Sequence, residues 1–406
     1  MLAEPLALLI AAAVFAYALF SRKTEQAALT APMMFTALGI LLGPAWLDWV
    51  TAEIDGKGLM VLAEFTLALI LFVDASQIER AHLVKFEVLP IRLLAIGLPL
   101  TMVAGTLLAY PLFAGGWLLA ALLAIMLTPT DAALAQSIFN KKDIDESLRH
   151  SITVESGLND GIALPVLLFV MALLAANTAA GSAIDHLHWL LFISKQFLIG
   201  VLCGVATGRV GGLLTETAAR RQWMTASFQR LSAPALALLA YSGAEILGGN
   251  GFIAVFLAGL FLQSHHTLVL QRLKEFGEAE GQLLSLTMFF LFGLIFVPDA
   301  LPHITLNSWI YALLSLTVIR MIPVFISLTG SGLPWRARMF LAWFGPRGIA
   351  SILYLLLVSE QLGFGSSNPD HAELFATTVL TVLLSIFIHG ISARFFTRLS
   401  VDNKPT

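Results

Sequence analysis

Apolar stretches of about 20 residues recur along the whole chain, and this pattern constrains the fold more than any other feature. That length crosses a bilayer as a helix, and a lipid-exposed segment must satisfy its own backbone hydrogen bonds. We therefore predict an all-α integral membrane protein with 13 transmembrane helices in its 406 residues. The predicted extents are 3–20, 31–50, 58–76, 88–112, 116–138, 150–175, 187–212, 231–247, 250–263, 281–298, 305–328, 337–358 and 372–396.

Composition agrees with a membrane protein and excludes some partners. Hydrophobic residues make up 58% of the chain and charged residues 12%, against about 25% charged in a soluble domain. The net charge of −3 disfavours nucleic-acid binding, which needs a concentrated basic face.

Lysine and arginine are distributed unequally between the predicted loops. Seventeen of them follow odd-numbered spans, whereas Lys57 alone follows an even-numbered one. Because basic residues remain on the cytoplasmic side, we expect an external N-terminus and a cytoplasmic C-terminus.

Two spans at corresponding places in the chain are interrupted. Thirteen helices divide into six, one linker and six, which gives two six-helix halves of opposite orientation, as in inverted-repeat transporters. The fifth span contains LTPTDAALAQ and the twelfth, seven helices later, WFGPRGIAS; each has a mid-span proline beside Gly or Thr and close to a charged residue. Such paired interruptions indicate a binding site near the membrane midplane, and two ordinary proline kinks are the alternative.

The sixth span carries the sequence ESGLNDG. Residues four apart share a helix face, so Ser156 and Asp160 form one side, and Glu155 and Asn159 another. An intramembrane arginine almost always pairs, and we therefore expect Arg320 of the eleventh span to bind Glu155 and leave Asp160 to titrate. A purely structural polar cluster is the alternative.

The charged residues of the two interrupted spans, Asp131 and Arg347, are expected to compensate helix dipoles. We expect Asp131 to complement the helix N-terminus in the second half of the fifth span, either alone or with a further role in an ion site. Arg347 is expected at carbonyl ends in the twelfth span, and carbonyls near Thr130 can coordinate a cation. His389 lies deep in the last span and receives no role from the sequence.

Together TPTD, ESGLNDG, VIRMIPV and FGPRG resemble the motifs of NhaP-type sodium–proton antiporters of the monovalent cation–proton antiporter superfamily. The weaker matches GILLGP and GNGFIAVFLAGL extend the resemblance over nearly the whole chain.

The resemblance implies an NhaA-like fold with crossed discontinuous helices, and a homodimer. Residues 1–397 would form one membrane transport domain, with a scaffold of about 1–76 and 187–298, a moving core of about 88–175 and 305–396, and a short cytoplasmic tail, 398–406. Larger relatives carry a long regulatory tail there, so tail-mediated regulation is not expected, and the short form is typical of a bacterial inner membrane.

The resemblance also implies a site. Asp160 would exchange proton and cation, with Asp131, Ser156 and the Thr130 backbone completing a Na⁺ site. Glu155 and Asn159 would hold the site in shape, with Arg320 as their partner.

From these residues we expect a transporter and not an enzyme, without a cofactor, exchanging Na⁺, or Li⁺ or K⁺, for H⁺ in pH and sodium homeostasis. Since position 159 is an amide and not a second acid, one-for-one electroneutral exchange is expected. The alternatives are a sodium-coupled symporter of the same plan, a passive cation channel, and an intramembrane aspartyl protease using Asp131 and Asp160, whose GxGD signature the chain lacks.

Overall fold

Helices make up most of the part of the chain that the structure describes. The computed structural model describes residues 3–26, 29–49, 56–76, 88–131, 134, 146–178, 186–262, 267–365 and 371–401. The helices are α1 (Ala3–Gln26), α2 (Ala31–Leu42), α3 (Gly56–Ser76), α4 (Val88–Leu112, with a π-helical turn over Leu93–Gly97), α5 (Gly116–Met126), α6 (Glu146–Thr178), α7 (His186–Arg220), α8 (Ala226–Ile246), α9 (Gly251–Leu260), α10 (Thr267–Leu291, extended by a π-helical turn over Phe292–Phe296 and by Val297–Ala300), α11 (Leu306–Leu316), α12 (Val318–Ser327), α13 (Trp335–Trp343), α14 (Ile349–Leu362) and α15 (Ala372–Val401).

Many of these helices suit a bilayer. Within the described ranges, eight spans are long and apolar enough to cross a membrane, one of them made of α11 and α12 together, and four more helices are apolar but shorter, namely α2, α5, α9 and α14. The predicted class, an all-α membrane-spanning chain, is confirmed. The count of 13 spans and the inverted repeats stay predictions.

The chain divides into two compact units. One contains residues 1–60, 88–159 and 285–406, and the other contains 61–87 and 160–284. In the first unit, an apolar cluster that includes Leu93, Ile152, Val324 and Leu341 joins α4, α6, α12 and α13. The predicted division into scaffold and core stays a prediction.

Among the helix boundaries that differ from those predicted, two have a clear local cause or consequence. Helix α2 ends at Leu42, not near residue 50, because Gly43 is followed by Pro44, which disfavours helical geometry at the residue before it. The eleventh span is divided at Thr317, whose φ of −118° and ψ of −91° are not helical. Helix α12 therefore starts anew at Val318 and places Arg320 in its first turn.

Both predicted interruptions are present. Helix α5 ends at Met126 and is followed by non-helical backbone as far as Asp131, while residues 344–348 separate α13 from α14. Pro129 and Pro346 contribute because proline lacks the N–H that a continuous helix needs. The second half of the fifth predicted span lies outside the described residues, apart from residue 134.

In the second unit, the short helix α9 packs against glycines of α7. Gly200, Gly204 and Gly208 are spaced four residues apart, so they form one stripe. A Cβ atom on Gly204 would meet the carbonyl oxygen of Ala254, and one on Gly200 would lie 2.8 Å from the carbonyl oxygen of Asn250. Small residues at this spacing allow two helix backbones to approach closely.

We expect Gly204→Leu to destabilise the protein, because the side chain would separate α7 from α9; overpacking costs about 1–3 kcal/mol. A lower midpoint of thermal unfolding in detergent is the measurement. Gly243→Leu on α8 is the matched control, since no atom lies within 4 Å of a Cβ there. Equal midpoints for the two variants would contradict the close approach.

Candidate functional site

Asp131 joins the two interrupted spans. Its backbone N–H donates to the carbonyl oxygen of Pro346 at 2.8 Å, and its Oδ2 accepts from the N–H of Ile349, also at 2.8 Å. Ile349 is the first residue of α14, so the carboxylate caps the helix of the other interrupted span. From the sequence we expected Asp131 to cap a helix of the fifth span itself. Most of the second half of that span lies outside the described residues.

Arg347 makes the reverse connection. Its fully buried guanidinium donates through Nη1 to the carbonyl oxygens of Thr128 and Pro129, which follow the C-terminal end of α5. A cation there offsets the partial negative charge of unpaired carbonyls. The prediction of carbonyl ends within the twelfth span was wrong, because the two breaks lie against each other and the nearest open carbonyls belong to the fifth span.

The glycines of FGPRG allow these approaches. A Cβ atom on Gly348 would lie 2.8 Å from Cγ of Asp131, and one on Gly345 would lie 2.6 Å from Cζ of Arg320. Any larger residue would therefore displace a charged group. From the sequence, these glycines indicated only an interruption.

Glu155 and Arg320 form the ion pair predicted from the sequence. Arg320 Nη2 lies 2.7 Å from Glu155 Oε1, and each side chain is 3% exposed. Pairing lowers the cost of burying both charges. Since the Arg320 guanidinium also lies against Gly345, the pair supports the break in the twelfth span.

Thr130, Ser156 and Asn159 form a small buried cluster. Oγ1 of Thr130 is 3.1 Å from Oγ of Ser156. The Asn159 amide donates to Oγ1 of Thr130 at 2.6 Å and lies 3.4 Å from the Thr130 carbonyl oxygen. The other amide atom, Oδ1 of Asn159, is buried and accepts no hydrogen bond from the described residues.

Asp160 lies on the same helix, one turn beyond Ser156, and is 7% exposed. Helix α6 is continuous here, so the predicted shared face of Ser156 and Asp160 follows from helical geometry. The boundary between the compact units falls between Asn159 and Asp160.

The local chemistry suits a small cation. Hydroxyl, carbonyl and carboxylate oxygens are the ligands preferred by hard cations, and the cluster together with Asp131 supplies all three types. A carboxylate binds either a cation or a proton. The roles assigned from the sequence to Asp160, Asp131, Ser156, Thr130, Glu155, Asn159, Arg320 and Arg347 stay predictions.

Two residues of α15 were not recognised as part of this region. Ser385 Oγ accepts from the backbone N–H of Arg347 at 2.6 Å, and His389 contacts both Ser385 and Trp343. A buried histidine in an apolar span was visible in the sequence, but its partners lie on another span. Hydropathy carries no information about such contacts.

Comparisons with known proteins agree on one family. Residues 10–399 match the sodium/hydrogen exchanger transmembrane family. The K(+)/H(+) antiporter NhaP of Alkalimonas amylolytica is 27% identical over 89% of this chain, and NhaP2 of Shewanella oneidensis is 26% identical over 92%. A probable Na(+)/H(+) antiporter of Schizosaccharomyces pombe is 26% identical over 89%.

The matches cover 60%, 63% and 52% of these relatives' own lengths, respectively. Among solved structures, the sodium proton antiporter MjNhaP1 from Methanocaldococcus jannaschii has the same fold, with a TM-score of 0.78, 18% identity and coverage of 99% of this chain and 100% of that one.

The family match extends over nearly the whole chain, including both interrupted spans and all eight predicted site residues. The resemblance to NhaP-type members, first indicated by the motifs, is thereby confirmed. The chain belongs to the sodium/hydrogen exchanger transmembrane family.

Proposed function

We propose that this protein exchanges a monovalent cation for protons across the plasma membrane. The observation that carries the proposal is the buried oxygen cluster of Thr130, Ser156 and Asn159 beside the two breaks, one helical turn from Asp160. The Oδ1 atom of Asn159 is a buried acceptor, and buried acceptors without a protein donor call for an ion or a water. A cation, or water bound to it, would satisfy this atom.

In the proposed mechanism, cation and proton compete for Asp160. Either ligand neutralises the carboxylate, so the loaded site moves through the bilayer at similar electrostatic cost in both directions. The empty, ionised site moves poorly, because a charge at mid-bilayer costs a few kcal/mol or more. This asymmetry couples the two fluxes without another energy source.

Asp131 has a supporting part in this mechanism. Its carboxylate is committed to the N-terminus of α14, which fixes the break and leaves Asp160 as the exchanging group. We propose that Asp131 also contacts the cation, which Ser156 and Thr130 bind as well.

The names of the relatives indicate more than one transported ion. The NhaP and NhaP2 relatives are named K(+)/H(+) antiporters, and the yeast relative a probable Na(+)/H(+) antiporter. We propose Na⁺ as the substrate, with K⁺ and Li⁺ as the candidates to be compared against it.

The proposal includes the arrangement expected from the sequence. Thirteen spans in two inverted halves would place the N-terminus outside and the C-terminus in the cytoplasm. The core of residues 88–175 and 305–396 would move against the scaffold of a homodimer, and the exchange would serve pH and sodium homeostasis.

Asp160→Asn should abolish exchange, because an amide binds neither a proton nor a cation by charge. The measurement is collapse of an imposed pH gradient in proteoliposomes holding a pH-sensitive dye, with Na⁺, Li⁺ and K⁺ added in turn. Asp299→Asn is the control, since this carboxylate is exposed at the end of α10. Exchange by Asp160→Asn at the wild-type rate would contradict the mechanism.

Exchange should be electroneutral, because one carboxylate exchanges one proton for one monovalent cation. A clamped potential would then leave the final ion gradients unchanged. Transfer of one net charge per cycle would instead shift them by about 2.3 kcal/mol per 100 mV, roughly fifty-fold. A current on a supported membrane that tracks the cation flux would disprove the one-for-one ratio.

Arg320→Met should destabilise the protein strongly, since removing one partner of a buried ion pair costs about 3–5 kcal/mol. Adding Glu155→Leu should recover most of the lost stability, because no charge then remains unpaired. Thermal unfolding in detergent measures both effects, with Arg336→Met at an exposed position as the control. Equal midpoints for Arg320→Met and the control would refute the pair's importance.

A further inference from the structure

His389 and Ser385 lie one turn apart on α15, beside the break between α13 and α14. His389 is 2% exposed and Ser385 is fully buried. Neither belongs to the set of residues through which the proposed exchange acts, and a buried histidine requires a partner for each ring nitrogen.

The contacts of His389 are satisfied by one neutral form of the ring. Nε2 lies 3.1 Å from the carbonyl oxygen of Trp343, which only accepts, so Nε2 carries the hydrogen. Nδ1 lies 3.2 Å from Ser385 Oγ and 3.1 Å from the Ser385 carbonyl oxygen. A neutral ring carries a single hydrogen, which is on Nε2, so Nδ1 accepts, and of its two neighbours only the hydroxyl can donate.

Ser385 connects the His389 ring to the backbone of the break. Its hydroxyl hydrogen is directed to His389, so its oxygen lone pairs remain for the N–H of Arg347 at 2.6 Å. Trp343 ends α13 and Arg347 is the next-to-last residue of the break. Helix α15 therefore holds the break at both ends, through two hydrogen bonds that depend on a single imidazole tautomer.

The opposite side of the break faces the fifth span. There the Arg347 guanidinium bonds the carbonyls of Thr128 and Pro129, and the N–H of Ile349 bonds Asp131. A displacement of the Arg347 backbone would shift both contacts, and with them the backbone next to Thr130.

We propose that His389, as the neutral Nε2–H tautomer acting through Ser385, is a positioning residue for the cation site. The inference rests on the proposed function and adds a specific role for two residues of α15. His389 neither carries a transported proton nor touches the cation; it sets the geometry of the break that Asp131 and Arg347 share.

The test compares His389→Leu, His389→Gln and Ser385→Ala in proteoliposomes, with exchange measured against cation concentration and pH. Leucine removes both hydrogen bonds. Glutamine keeps one acceptor and one donor on a single amide and does not titrate. Ser392→Ala is the matched control, because this serine of α15 accepts from the Trp343 indole and not from the backbone of the break.

We expect His389→Leu and Ser385→Ala to raise the half-saturating cation concentration roughly three- to tenfold, because each variant removes one hydrogen bond to the backbone at an end of the break. The glutamine variant should keep the wild-type half-saturation and pH profile, and Ser392→Ala should also match the wild type. Loss of folded protein alone would lower the maximal rate at unchanged half-saturation, so the two effects separate.

Unchanged half-saturation in both His389→Leu and Ser385→Ala would overturn the inference. So would a glutamine variant that fails like leucine or shifts the pH profile, since the ring would then act by titrating. If the wild type itself exchanges none of the three cations, the proposed function fails and this inference falls with it.

Discussion

The structure depends on the compensation of two helix ends buried where water does not reach. An interrupted helix leaves backbone carbonyls or N–H groups without intrahelical partners, and in a membrane these groups need protein partners. Here each interrupted span supplies the charge that the other needs. Asp131 caps α14, and Arg347 bonds the carbonyls that follow α5. Each break satisfies backbone groups of the other, so the two form one structural element.

Neighbouring groups are arranged around this element. The guanidinium of Arg320, paired with Glu155, lies against Gly345. On the other side of the break, α15 forms hydrogen bonds with the backbone of Trp343 and Arg347. Thr130, directly before Asp131, is in turn bonded by Asn159 of α6. Two of the proposed cation ligands, Thr130 and Asp131, are thus fixed by the same contacts that make the interruptions possible, which links the chemistry of the site to the stability of the fold.

The sequence predicted the features that depend on position along the membrane normal. Apolar length gave the all-α class, paired prolines gave both interruptions, and buried charges of opposite sign gave the Glu155–Arg320 pair. It did not predict which helix end each charged side chain would bind. Hydropathy indicates how deep a residue lies in the membrane, but it does not indicate which residues of other spans lie next to it. The division at Thr317, the seat of α9 on the glycine stripe and the partners of His389 were missed for the same reason.

The contact between the two breaks also has a consequence for biosynthesis. Asp131 and Ile349 are 218 positions apart, so the carboxylate leaves the ribosome long before the helix end that it caps. Until α14 is inserted, the nascent chain holds a carboxylate and open carbonyls in the membrane without their native partners. Insertion of α14 is therefore the step that supplies the partner of the Asp131 carboxylate, and a chain truncated before it lacks this hydrogen bond.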